Sequence, residues 1–170
     1  MKNSSGLART CATWMSALVR LSLGWIFLWA FIDKLFGLGF ATTTEKAWIN
    51  GGSPTYGFLT YGTQGPFAEI FQGMANSVFV EWLFMLGLLG LGLALTLGIM
   101  TRIAGWLGAV LMILMWLAIL PPENNPFMDD HVVYAFILIW IAYIPEIGHT
   151  LGIGKWWNAL TLVKKHEWLR

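Results

Sequence analysis

Apolar residues fall along this chain in long runs, not in the mixed pattern of a soluble helix or strand. A helix crossing about 30 Å of hydrocarbon needs roughly 20 such residues. Four runs reach or approach that length: residues 14–35, 79–100, 103–120 and 132–151. The third is at the lower limit. The fourth contains Pro145, which removes a backbone hydrogen bond and predicts a kink. Pro126, suited to a first helical position, offers that helix an earlier start. Only Thr101 and Arg102 separate the second and third runs, so these form a tight antiparallel hairpin. The pattern predicts an all-α membrane protein, a four-transmembrane-helix bundle forming one domain over residues 1–170. In the long connection between the first two spans, Gly65-Pro66 opens a helix. Phe67, Ile70, Phe71, Met74 and Val78 follow at helical spacing, with Glu69, Gln72 and Asn76 on the other face. This predicts a short amphipathic helix on the outer membrane surface or capping the bundle. The stretch Asn50-Gly51-Gly52-Ser53-Pro54 predicts a turn.

Composition excludes the soluble alternative. Hydrophobic residues make up 57% of the chain and charged ones 11%, against about 25% charged in a soluble domain. The first run is interrupted by Arg20 and followed by no small-residue cleavage site, so it reads as a span and not as a signal peptide. Charge then orients the spans. One side collects Lys2, Arg9, Arg102, Lys155, Lys164, Lys165 and Arg170, whereas the other holds only Lys34 and Lys46. The Lys/Arg bias predicts a multi-pass plasma-membrane protein with both termini cytoplasmic. A net charge of +1 with no basic patch argues against nucleic acid as a partner.

Small residues recur at four-residue spacing in the second span (Gly90, Ala94, Gly98) and the third (Ala104, Gly108). They predict close packing of those two helices, with a homo-oligomer interface as the alternative. Trp14, Trp106, Trp156 and Trp157 mark one interface, and Trp82 and Tyr134 the other. Trp25, Trp29, Trp116 and Trp140 lie deeper, for lipid contact, core packing or stacking on a flat ring.

Ionisable groups at membrane depth each need a partner or a task. They sort into two layers. Arg20, Arg102 and Glu146 form the inner one, which predicts an Arg20–Glu146 ion pair. Asp33, Lys34, Glu81, Asp129, Asp130 and His131 form the outer one, from the first, second and fourth spans. Two uses fit this outer cluster equally: charges that pin helix ends, or a polar recess in which His131, held by Asp130, accepts protons. Those six residues are the candidate catalytic set, with no assigned cofactor-binding residues. His131 and His149 lie at opposite faces, so no bis-histidine haem is expected. No cysteine–histidine spacing suits a metal, and lone Cys11 excludes a CxxC pair.

Three ordered elements carry a resemblance. The first span reads Arg20-Leu21, Gly24, Phe27, Lys34; the second opens on Glu81 and closes as Gly98-Ile99-Met100-Thr101-Arg102; the fourth is led in by Asn125-Pro126-Phe127-Met128-Asp129-Asp130-His131 with Tyr134 beyond. Together they resemble the DoxX/DoxD family of small four-helix membrane proteins, and the last element is most similar to the DoxD branch. The resemblance implies the membrane subunit of a quinone-linked redox system, such as thiosulfate:quinone oxidoreductase, working with a second protein subunit. Quinone would be a dissociable co-substrate. It equally implies a non-catalytic accessory or assembly subunit of a respiratory or redox complex. No family catalytic residues carry over.

Overall fold

The computed structural model describes residues 2–144 and 146–170, with side chains from Gly6 onward. All regular structure among the described residues is helical. Helix α1 spans Lys2–Phe36, α2 Ala68–Gln72, α3 Val78–Leu97, α4 Thr101–Ala118, α5 Asp130–Ala142, α6 Gly154–Ala159 and α7 Thr161–Lys165. Helices α1, α3 and α4 are long and apolar enough to cross a membrane; α5 is a shorter apolar helix. Thirteen residues reach about 20 Å at 1.5 Å per residue, short of the hydrocarbon thickness. The fourth run is therefore not one helix over 132–151. It starts at the Asp129 cap rather than at Pro126 and gives way after Ala142 to turns and a short 3-10 segment, Ile147–His149. Pro145, the predicted kink, lies outside the described residues. The predicted loop helix is also shorter than its apolar spacing suggests. A 3-10 turn at Gly65–Phe67 leads into α2, which stops at Gln72 with Ile70 and Met74 exposed.

The helices pack as two antiparallel pairs, α1 with α3 and α4 with α5, and the contact between α3 and α4 is much smaller. Small residues set this pairing; of those the spacing singled out, Gly108 faces α5, where an added Cβ would lie 3.1 Å from the Leu138 side chain. A Cβ on Gly92 would lie 2.8 Å from the Leu28 Cα, and one on Gly24 2.7 Å from the Thr96 Oγ1, so these glycines let α1 and α3 approach. A Cβ on Gly105 would meet the Leu138 carbonyl and the Ala142 Cβ across α4 and α5. A Cβ on Gly90 would meet nothing within 4 Å. Packing of the second span on the third through Gly90, Ala94 and Gly98 is thus replaced by α1–α3 and α4–α5 contacts.

The core follows from helical spacing. Met85, Leu88, Leu91 and Leu95 on α3 meet Leu23 and Phe27 on α1, and Ala104, Ala109 and Met112 on α4 join Ala135, Leu138 and Ile141 on α5. The opposite faces stay apolar and exposed: Leu83, Leu86, Leu107, Val110 and Phe136. Water would not tolerate so wide an apolar surface, so these faces contact lipid.

One end of the bundle is closed by a knot around Arg20. Its guanidinium is fully buried and donates to the carbonyls of Leu95, Thr96, Thr150 and Leu151, the last three at 2.9–3.0 Å. The expected Arg20–Glu146 ion pair does not form; Glu146 is exposed. Four carbonyl dipoles replace a counter-charge, in a segment where non-helical backbone must find internal donors. Gly98, with φ +73°, ends α3 in the left-handed conformation and accepts Gly148 at backbone contact. The C-terminal segment folds beneath this turn, with the Ile153 amide donating to the Leu97 carbonyl at 2.9 Å and the Arg102 amide to the Arg170 carbonyl at 2.8 Å.

Candidate functional site

At the other end, the six predicted residues divide into separate settings. Asp33 is buried near the end of α1, where its oxygens accept the amides of Phe40 and Ala41 at 3.3 and 3.0 Å. It folds the chain back over the helix end. Glu81, in the first turn of α3, accepts a hydrogen bond from the Ser53 hydroxyl, whose oxygen also accepts the Tyr56 amide. It holds the long connection down. Lys34 is half-buried beside Asp33 and makes no ion pair within 4 Å among the described residues. None of these three side chains lines the recess that forms around His131.

Asp129, Asp130 and His131 do come together. Asp129 is the N-cap of α5: its backbone is extended and its Oδ1 accepts the Val132 amide at 3.3 Å. The other oxygen, Oδ2, lies 2.5 Å from the His131 Nδ1. A carboxylate acceptor at that nitrogen fixes the ring and leaves Nε2 as the working atom. His131 is thus held by Asp129, not by Asp130, which is exposed. All three line an open recess of about 370 Å³, with Ile119, Pro122, Glu123, Asn124, Asn125 and Met128 completing the wall. Three carboxylates around one imidazole make the recess acidic.

The recess is shaped by contacts that local sequence signals only half reveal. Asn125 Oδ1 accepts the amides of Phe127 and Met128 at 3.0 and 3.1 Å, an Asx turn announced by Asn-Pro. The Trp116 indole donates to the Phe127 carbonyl at 2.9 Å. From the long connection, the Gln64 side chain donates to the carbonyls of Ile119 and Pro121, each at 3.0 Å. Those partners are 55 and 57 residues away, and no local pattern marks them.

A family comparison decides what class of protein carries this arrangement. The DoxX family model matches residues 15–120. The chain belongs to the DoxX family. No curated protein and no solved structure matches it. The matched region takes in the three long spans and the connection held by Asp33 and Glu81. In this DoxX-family protein the Asp129–His131 pair lies beyond the matched residues, as does the Asn125–His131 lead-in that carries the DoxD likeness.

Proposed function

We propose that this DoxX-family protein is the membrane subunit of a quinone-linked redox system, thiosulfate:quinone oxidoreductase being the concrete case, in which the His131 recess handles protons at the outer membrane face. The observation that carries this reading is the 2.5 Å contact between His131 Nδ1 and Asp129 Oδ2 inside an open recess. Joining two thiosulfate dianions into tetrathionate releases two electrons and no protons. Quinone supplies the two-electron acceptor, and its reduction to quinol consumes two protons. Proton flow therefore runs from the recess toward the acceptor, opposite to a histidine that takes protons from substrate. With its Nδ1 held by Asp129, the His131 ring passes a proton toward the acceptor from Nε2 and takes one back from the outer aqueous phase.

The recess fits a proton-transferring edge better than a whole quinone. Six of its nine lining residues are polar or charged. Its acidity also disfavours a dianion, so the sulfur substrate is assigned to the second subunit. That same acidity favours a second reading, a non-catalytic accessory subunit that docks a redox complex. The two separate in membranes holding this chain with its partner. His131→Gln is expected to abolish thiosulfate-dependent quinone reduction while expression and melting stay unchanged, and Asp129→Asn to lower the rate by about tenfold or more. Undiminished activity in His131→Gln leaves only the accessory reading.

The orientation belongs to the same proposal: the Arg20 end faces the cytoplasm of a plasma-membrane protein. In a Cys11→Ser background, cysteine at Glu123 is expected to react with an impermeant maleimide on intact cells, and cysteine at Lys164 only after permeabilisation. The opposite labelling pattern would invert the topology.

A further inference from the structure

A second recess, at the Arg20 end of the bundle, has no place in the redox reading. It lies between the start of α4, the end of α5 and the C-terminal turn, and Arg102, Tyr143, Glu167 and Arg170 line it. Two contacts hold that turn in place. The Arg102 amide donates to the Arg170 carbonyl at 2.8 Å, and the Trp157 indole to the Leu169 carbonyl at 2.6 Å. Arg170 is therefore fixed against α4. The side chains bring two guanidinium groups against one carboxylate. Glu167 approaches Arg170 only to 3.9 Å and is 72% exposed, so water screens that pair. Arg102 has no carboxylate within ion-pair distance among the described residues.

The surroundings are those of a membrane interface. The Tyr143 ring meets Trp106 edge-on, with centroids 6.0 Å apart, and both rings are exposed on the lipid-facing side of α4 and α5. Aromatic rings of this kind sit at headgroup level. Below them Leu107 and Val110 continue the exposed apolar surface of α4. At about 150 Å³ the recess is smaller than a site that encloses a whole organic ligand, roughly 300 Å³ or more. It suits one compact anionic group whose remainder lies outside. Planar guanidinium forks match phosphate oxygens, and basic pockets between membrane helices take acidic headgroups.

We propose that the recess formed by Arg102, Tyr143 and Arg170 binds the phosphate of an anionic phospholipid, with the acyl chains lying along the exposed faces of α4 and α5. The site stands independently of the redox function.

The test uses the full chain purified in a neutral detergent, with short-chain phosphatidylglycerol as probe and tryptophan fluorescence as readout. Phosphatidylglycerol is expected to bind saturably, weakening as salt rises, and phosphatidylcholine to bind at least tenfold more weakly. Millimolar inorganic phosphate is expected not to compete. Arg102→Gln and Arg170→Gln are each expected to weaken binding about tenfold, and Arg9→Gln, on the exposed N-terminal part of α1, to leave it unchanged. Both arginine changes spare the backbone contact that pins the C-terminal turn. Should Arg102→Gln fail to fold, Arg170→Gln alone carries the test. Equal affinity for phosphatidylcholine, unchanged binding in the folded arginine variants, or full displacement by inorganic phosphate overturns the lipid site; the last would make it a site for soluble anions.

Discussion

Replacing Arg20 by alanine is expected to cost this protein at least about 3 kcal/mol of stability, enough to lower its melting temperature in detergent by roughly ten degrees or more. Four carbonyls, on Leu95, Thr96, Thr150 and Leu151, depend on one guanidinium. Each buried acceptor left without a donor costs about 1–3 kcal/mol, and relaxation or an entering water recovers part of the sum. The carbonyls belong to the end of α3 and to the irregular segment after α5, so losing the clasp frees the second from the first. Arg20→Lys is expected to recover a fraction only, because an ammonium offers three donors from one point and cannot fork across two chain segments. Exposed Glu146 gives the contrasting result: Glu146→Ala is expected to change stability by less than about 0.5 kcal/mol. Melting curves for the three variants decide the matter. An Arg20→Ala protein as stable as the unsubstituted chain, or a Glu146→Ala protein as damaged as Arg20→Ala, would remove the carbonyl clasp from the account.

The contrast between Arg20 and Glu146 also marks what could be read from the sequence. Depth along a helix is legible, since 1.5 Å per residue fixes which charges share a layer. The identity of a partner is not, because backbone carbonyls carry no sequence signature and compete with every carboxylate in that layer. The outer residues make the same point. The Asp129 cap and the Asx turn at Asn125 are local devices, visible as residue types at fixed offsets. Asp33 and Glu81 are buried or half-buried by the long connection, and nothing at their own positions reveals that Phe40, Ala41 and Ser53 will reach them. The membrane class was legible because it is a bulk property of apolar runs. The same bulk property overstates the fourth span: hydropathy persists to residue 151, but α5 stops at Ala142, and the backbone beyond it is irregular where Gly148 meets Gly98 and Arg20 takes the Thr150 and Leu151 carbonyls.

Two glycines that look alike in sequence should answer alanine substitution in opposite directions. Gly90 sits in α3 within the small-residue pattern Gly90, Ala94, Gly98, and Gly148 in the irregular segment after α5. A Cβ at Gly90 meets nothing within 4 Å, since that face of α3 is exposed. There alanine removes backbone freedom from the unfolded chain and is expected to stabilise the helix by up to about 1 kcal/mol. At Gly148 the same methyl group would collide with the Gly98 carbonyl oxygen and stand 2.7 Å from its carbon. Backbone cannot rotate aside as a side chain can, and the contact is fixed on both sides: Gly98 closes α3 with its amide on the Ala94 carbonyl, and Thr150 and Leu151, just after Gly148, anchor on Arg20. Overpacking a well-filled site costs about 1–3 kcal/mol, and here it also parts the carbonyls from their clasp. Gly148→Ala is therefore expected to lose about 3 kcal/mol or more, and to add little further loss when combined with Arg20→Ala, because both act on one contact. A double-mutant cycle read by thermal melting measures that coupling. Full additivity of Gly148→Ala and Arg20→Ala, or a destabilised Gly90→Ala, would mean that the close approach at the Arg20 end is not what holds α3 to the segment after α5.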